Sequence, residues 1–224
     1  MLLAIDTSTS LIGAACVQGS EVLSEVTVAD ARRHGELLAP TIQRALREAD
    51  CGVGELDRIL VGVGPGPFTG LRVGISTGLV MAHALGIPVQ GVCSLDALAA
   101  QAMRTVAAEH QWPEFLVATD ARRKEVYWAR YAVHQHGVTR IGQPAVARPG
   151  DLSVDIRSLP AVGRGPVLYP DVLNDSSGPL DVSPGTLGLL GTVESLLLPP
   201  EPLYLRRPDA VPSAAAPSFT AATP

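Results

Sequence analysis

The side chains of this sequence that could do chemistry are few, and they gather at turns. Asp6-Thr7-Ser8-Thr9 ends a short apolar run, Leu2-Leu3-Ala4-Ile5. A carboxylate, hydroxyls and free backbone N–H groups at such a turn could hold a phosphate, with Asp6 handling metal or water. The same residues also make an ordinary strand-ending turn, in which Thr and Ser bond their own backbone. Gly64-Pro65-Gly66-Pro67-Phe68-Thr69-Gly70 joins a second apolar run to a helical pattern. Gly64 and Gly66 could present N–H groups to an anion at a positive helix end. Two of the positions are proline and donate nothing, and the spacing is neither a Walker loop nor a dinucleotide fingerprint. A rigid, close-packed turn is the simpler account.

Other chemistry is thin. His34 has no second histidine at ligand spacing, and His134 and His136 have no carboxylate nearby in sequence, so neither makes a metal site. Cys16, Cys51 and Cys93 share no metal spacing. Cys16 and Cys93 sit in apolar runs and read as small core residues of a reducing compartment. Arg122-Arg123-Lys124 follows Asp120 and reads as a solvated hairpin. No nucleophile–base pair emerges, and no residue set requires a cofactor.

The elements that position these turns are legible. Apolar runs predict strands at 2–5, 12–17 and 21–28, the last two joined by a Gly19-Ser20 hairpin turn. Leu38, Ile42, Ala45 and Ala49 fall on one face of a helix at 34–49, which Pro40 should start or kink. A strand at 58–63, a helix at 70–85 stopped by Gly86 and Pro88, a strand at 89–93 and a helix at 95–108 follow. Leu116-Val117-Ala118-Thr119-Asp120 then repeats the opening run, with a hairpin over 125–133 and 138–141 behind it. Strand-Asp-strand-turn-strand thus occurs twice, which suggests two related lobes: 1–97 and 98–208. Beyond Pro144 only 186–198 carries a helical or strand-like apolar pattern. The Ala/Pro/Ser/Thr composition of 209–224 predicts a disordered tail.

The helix at 70–85 is the most informative. Gly70, Gly74, Gly78, Ala82 and Gly86 recur every fourth residue. Each interior glycine costs about 1 kcal/mol relative to alanine, so close packing must compensate. The neighbour could be the chain's own sheet or a helix of another subunit, and the residues alone favour the sheet.

Composition bounds the function. Apolar residues at 46% with aromatics at 4% predict an aliphatic core, and the net charge of −5 argues against holding nucleic acid unaided. No run approaches the ~18 apolar residues of a membrane span, and no charged region precedes the first apolar run, which predicts a cytoplasmic protein.

Leu3-Ala4-Ile5-Asp6-Thr7-Ser8, Arg32-Arg33-His34-Gly35-Glu36, the Gly64–Arg72 segment, Asp120-Ala121-Arg122-Arg123 with Glu125-Val126-Tyr127, and Glu201-Pro202-Leu203-Tyr204-Leu205-Arg206-Arg207 together resemble the TsaB (YeaZ) family. Its members are dimerisation subunits of the bacterial threonylcarbamoyladenosine machinery. The match covers residues 1–133 and the Leu203–Arg207 stretch. Gly35 and Pro67 stand where the family often has serine, 145–200 follows no family pattern, and the tail after Pro208 is extra. The resemblance implies an actin/Hsp70/sugar-kinase-like (ASKHA) α/β fold of two related lobes with mixed sheets, the second reduced, and no active site of its own. It implies pairing with a TsaD-like catalytic subunit that modifies N6 of adenosine 37 in tRNA, a TsaE-like ATPase, a homodimer when alone, and contact with tRNA only through the complex. It also assigns the interface to Leu38 and Ile42 of one helix and to Gly70, Gly74, Gly78 and Ala82 of the other, against the reading from residues alone. The alternative is a small-molecule kinase or ATPase of the same fold, with Asp6 and Asp120 flanking a cleft. The sequence offers no substrate-facing base or adenosine-binding glycine motif for it. A peptidase reading lacks both nucleophile and zinc cluster.

Overall fold

The computed structural model describes residues 1–30, 32–135, 137–175 and 177–206. The predicted tail at 209–224 lies outside them. The first sheet is built from β1 (Leu2–Asp6), β2 (Leu11–Gln18), β3 (Glu21–Ala29), β4 (Arg58–Gly62) and β5 (Val89–Val92), with α1 (His34–Glu48) and α2 (Phe68–Leu85) between them. α3 (Ser94–Ala102) leads to the second sheet: β6 (Glu114–Asp120), β7 (Val126–His134), β8 (Gly137–Ala147), β9 (Pro160–Val162) and β10 (Asn174–Asp175). Two short helices, α4 (Val154–Arg157) and α5 (Arg164–Leu168), interrupt it. α6 (Pro184–Leu189) and β11 (Leu197–Leu198) follow.

Both sheets use one plan. The orders β3-β2-β1-β4-β5 and β8-β7-β6-β9-β10 correspond strand for strand, with β11 added beyond β5 in the first sheet. In each, the first three strands are antiparallel and the last three run parallel. The repeat suggested by the two strand-Asp segments is therefore a duplication of topology: an ASKHA-type α/β fold of two mixed sheets.

Strand alternation sets the layers. Leu3, Ile5, Ile12, Ile59 and Val61 face α1 and α2. Leu2, Ala4 and Leu60 face the opposite way, onto a middle layer of α3 and α6 that also carries Phe115, Val117 and Tyr131 of the second sheet. The second sheet's far face, with Leu116, Ala118 and Ala161, is covered only by short segments. The core is aliphatic, as composition requires, and Cys16 and Cys93 are fully buried in it.

The lobe boundary needs correction. α6 packs on β1, β2 and β3, and β11 pairs antiparallel with β5. Residues 184–198 thus belong to the first lobe, because its inner face needs an apolar cover that the first half of the chain does not supply. The helix expected at 95–108 is α-helical only to Ala102 and continues as a π-helical turn, Met103–Ala107.

Candidate functional site

The residues singled out in the sequence fall in two places: the gap between the lobes, and α1 and α2 on the outer side of the first sheet.

Asp6 ends the central strand of the first sheet and is 2% exposed. Its Oδ1 accepts from the Ser8 amide (2.9 Å) and hydroxyl (2.8 Å), and its Oδ2 from the Ser94 hydroxyl (2.8 Å). Burial pushes its pKa up to about 6, against those hydrogen bonds, with the Asp181 charge adding to the rise. Ser94, which the sequence reading missed, sits at the start of α3 and also accepts from the Gly64 amide at 3.1 Å. Nothing local in sequence marks it; only the parallel β1–β4–β5 order brings it beside Asp6.

The structure brings Asp6, Thr7, Ser8, Gly64 and Gly66 together, but not as an anion cradle. The Thr7 hydroxyl donates to the Gly70 carbonyl (2.7 Å). A methyl group on Gly66 would overlap the Ser8 backbone. The glycines let two backbone turns touch, and the Thr7 hydroxyl, the Ser8 amide and hydroxyl and the Gly64 amide serve protein acceptors. Asp181, from the second half of the chain, accepts from the Ser10 amide at 3.2 Å and is held by Arg164 through two nitrogens, at 2.8 and 2.6 Å. A protein carboxylate thus meets the turn where an anion would. Among the described residues, a gap between Ser8, His34, Asp120 and Arg164 encloses about 40 Å³. That holds a water or two, whereas small-molecule pockets occupy about 300–1,000 Å³. His34 is buried there with its Nε2 unpaired among the described residues, and burial lowers its pKa.

The six interface residues implied by the resemblance are all buried within the chain. Leu38 and Ile42 are 1% and 4% exposed and face the sheet. On α2, a methyl on Gly70 would overlap the Thr7 carbonyl, on Gly74 the Thr7 hydroxyl, and on Gly78 a Val61 methyl. Ala82 is buried on the same side. This corrects the assignment. The small residues draw α2 down onto β1 and β4, and no second protein reaches them in this fold. What α2 does present is Phe68 (41% exposed), Leu79 (41%) and Val80 (68%), with Arg72 between. Arg72 lies over the Phe68 ring at 3.7 Å and donates to the Tyr204 hydroxyl at 3.1 Å. Tyr204 stacks on Phe68, so the Leu203–Arg206 segment rests on this end of α2. It then crosses to the second lobe, where Arg206 pairs with Glu125 and donates to the Ala121 carbonyl at 3.0 Å. The outward side of α1 is polar, with Arg44 and Glu48 paired. The cationic start of α1 is offset by Asp30, which accepts from the Arg32 and Arg33 amides.

These features define a two-lobed protein of the ASKHA class whose interlobe site is closed on itself. The family model for TsaD, tRNA N6-adenosine threonylcarbamoyltransferase, matches residues 21–164. The tRNA threonylcarbamoyladenosine biosynthesis protein TsaB of Escherichia coli is 30% identical over 78% of this chain and 76% of its own length. The crystal structure of YeaZ from Pseudomonas aeruginosa superposes with a TM-score of 0.74 at 30% identity, covering 91% of this chain and 99% of that one. An uncharacterized protein of Mycobacterium leprae is 44% identical over 95% of this chain, which spans 56% of that protein. The chain belongs to the TsaB (YeaZ) family. Among the described residues no helix is long and apolar enough to cross a membrane, and no three metal-ligating side chains gather.

Proposed function

We propose that this chain is a non-catalytic subunit in the formation of N6-threonylcarbamoyladenosine at position 37 of tRNA, and that it supports a TsaD-like catalytic subunit. The observation that carries the reading is the outward row of α2. Leu79 and Val80 stand exposed on an 18-residue helix whose other side is sealed. Exposed apolar side chains on a long, rigid helix suit helix-against-helix docking. Val167 and Leu168 of α5 are exposed too, but that helix has five residues and offers no comparable length. The catalytic partner seats on the α2 row, two copies of this chain share it when the partner is absent, and a TsaE-like ATPase joins the assembled pair. tRNA meets the complex rather than this acidic chain. The kinase or ATPase alternative needs room for a nucleotide that a gap of about 40 Å³ does not give.

Reconstitution tests the proposal. The TsaD- and TsaE-like proteins of the same organism, a threonylcarbamoyl donor and unmodified tRNA are combined with and without the chain, and the nucleosides are weighed by mass spectrometry. Modification should require the chain. Equal modification in its absence, or robust ATP turnover by the chain alone, overturns the reading.

A further inference from the structure

Away from both the interlobe gap and the α2 surface, a cavity of about 940 Å³ opens between α3, its π-helical continuation, β8 and residues 190–196. Met103, Val138, Leu190, Val193 and Leu196 give its walls an aliphatic part, and Gln135, Thr139, Gln143 and Ser195 a polar one. Val193 is 41% exposed. At its base lies a buried polar knot. The Tyr131 hydroxyl donates to Asp96 Oδ1 at 2.7 Å, and Arg140 Nη1 donates to both Asp96 oxygens at 2.8 Å. Arg140 commits a single nitrogen to that pair. Its Nε and Nη2 have no hydrogen-bond partner among the described residues, and neither has any nitrogen of Arg104, exposed on the cavity wall. Two arginines against one aspartate leave the cavity net positive in a chain of net charge −5.

The volume lies within the range of small-molecule sites. A nucleobase would seek aromatic faces to stack on, whereas Tyr131, the one aromatic side chain of the lining among the described residues, is buried and the apolar part of the wall is branched and straight aliphatic chain suited to a hydrocarbon. Guanidinium groups with open N–H edges match a carboxylate or a phosphate monoester in a planar fork. The wall also contains the π-helical turn, a distortion that recurs at functional sites. We propose that this cavity binds an amphipathic anion, an aliphatic chain with one carboxylate or phosphate-monoester head. The chain lies along Val138, Leu190 and Val193 and the head is held by Arg104 and Arg140. The proposal does not depend on the partner role argued above.

Calorimetric titration of the full chain tests it, using decanoate, decyl phosphate and decyltrimethylammonium below their micellar concentrations. One or both anions should bind saturably at one per chain, and the cation should not; the tighter anion identifies the head group. Arg104→Gln removes an arginine that no described residue pairs with, so the fold should persist while anion affinity falls about tenfold. Val193→Glu, adding a negative charge to the exposed wall, should weaken the anion as well. Absence of saturable heat with both anions, equal binding of the cation, or wild-type affinity in Arg104→Gln would each overturn the proposal.

Discussion

β1 ends in Asp6 and β6 ends in Asp120. At each, the amide two residues on turns back to the carboxylate, Ser8 at 2.9 Å in one lobe and Arg122 at 2.7 Å in the other. From there the lobes part. Asp6 is walled in by Ser8 and Ser94, while Asp120 pairs with Arg122 near the surface, the two side chains 21% and 62% exposed. The first sheet is covered on its outer side by helices of 15 and 18 residues, the second by helices of four and five. Duplication has kept what sheet geometry demands, which is strand order and the turn after the first strand. It has not kept the helices, so among the described residues one lobe has a long helical surface to present and the other has none. Among the described residues the outward row of α2 therefore has no counterpart in the second lobe.

That contrast can be broken at several points. The largest effect is expected at Gly74→Leu, whose side chain would enter the space of Thr7; soluble folded protein should be lost. Gly78→Ala, meeting Val61, should cost about 1–3 kcal/mol in urea unfolding. An unchanged midpoint in either would mean that α2 does not lie against β1 and β4.

Asp6→Asn should act next, with a dependence on pH. The folded pKa of about 6 lies above the 3.8 of an unperturbed aspartate, so the folded state retains the proton longer. The group's effect on stability is most favourable below about pH 4, declines as pH rises to 6, and is then constant, a total of roughly 3 kcal/mol. Asparagine removes that slope, although it accepts fewer hydrogen bonds. The variant should match or fall below wild type at pH 4 and gain on it by pH 7. Parallel pH profiles would show that Asp6 is not buried as described. Ser94→Ala, which strips one bond from Asp6 and one from the Gly64 amide, should cost about 1–2 kcal/mol. The smallest effect belongs to the second lobe. Asp120→Asn disturbs a near-surface pair and should shift stability by less than about 1 kcal/mol. A loss as large as that of Ser94→Ala would erase the distinction between the two turns.

Much of this architecture was readable beforehand. Short continuous apolar runs mark the central strands, Gly86 and Pro88 mark the end of α2, and two apolar runs ending in aspartate mark the duplication. The direction of the glycine stripe was the hardest part. A run of small residues states that something comes close but not what. The residues alone favoured the chain's own sheet, the resemblance pointed to a partner, and the structure sides with the residues. Ser94 and Asp181 escaped notice because their contacts with the first turn span 88 and 171 positions. The sequence does not show that residues 184–198 pack with the first lobe, for a similar reason: an apolar stretch does not name the sheet it covers.

The separation of an inward, structural side of α2 from an outward, partner-binding side is tested most directly by one affinity comparison. The TsaD-like protein of the same organism is titrated with wild-type chain, with Val80→Asp on α2, and with Val167→Asp on the second lobe, after each variant is shown to unfold at the wild-type midpoint. Val80→Asp should weaken association at least tenfold and Val167→Asp should leave it unchanged. Wild-type affinity in Val80→Asp would contradict the account.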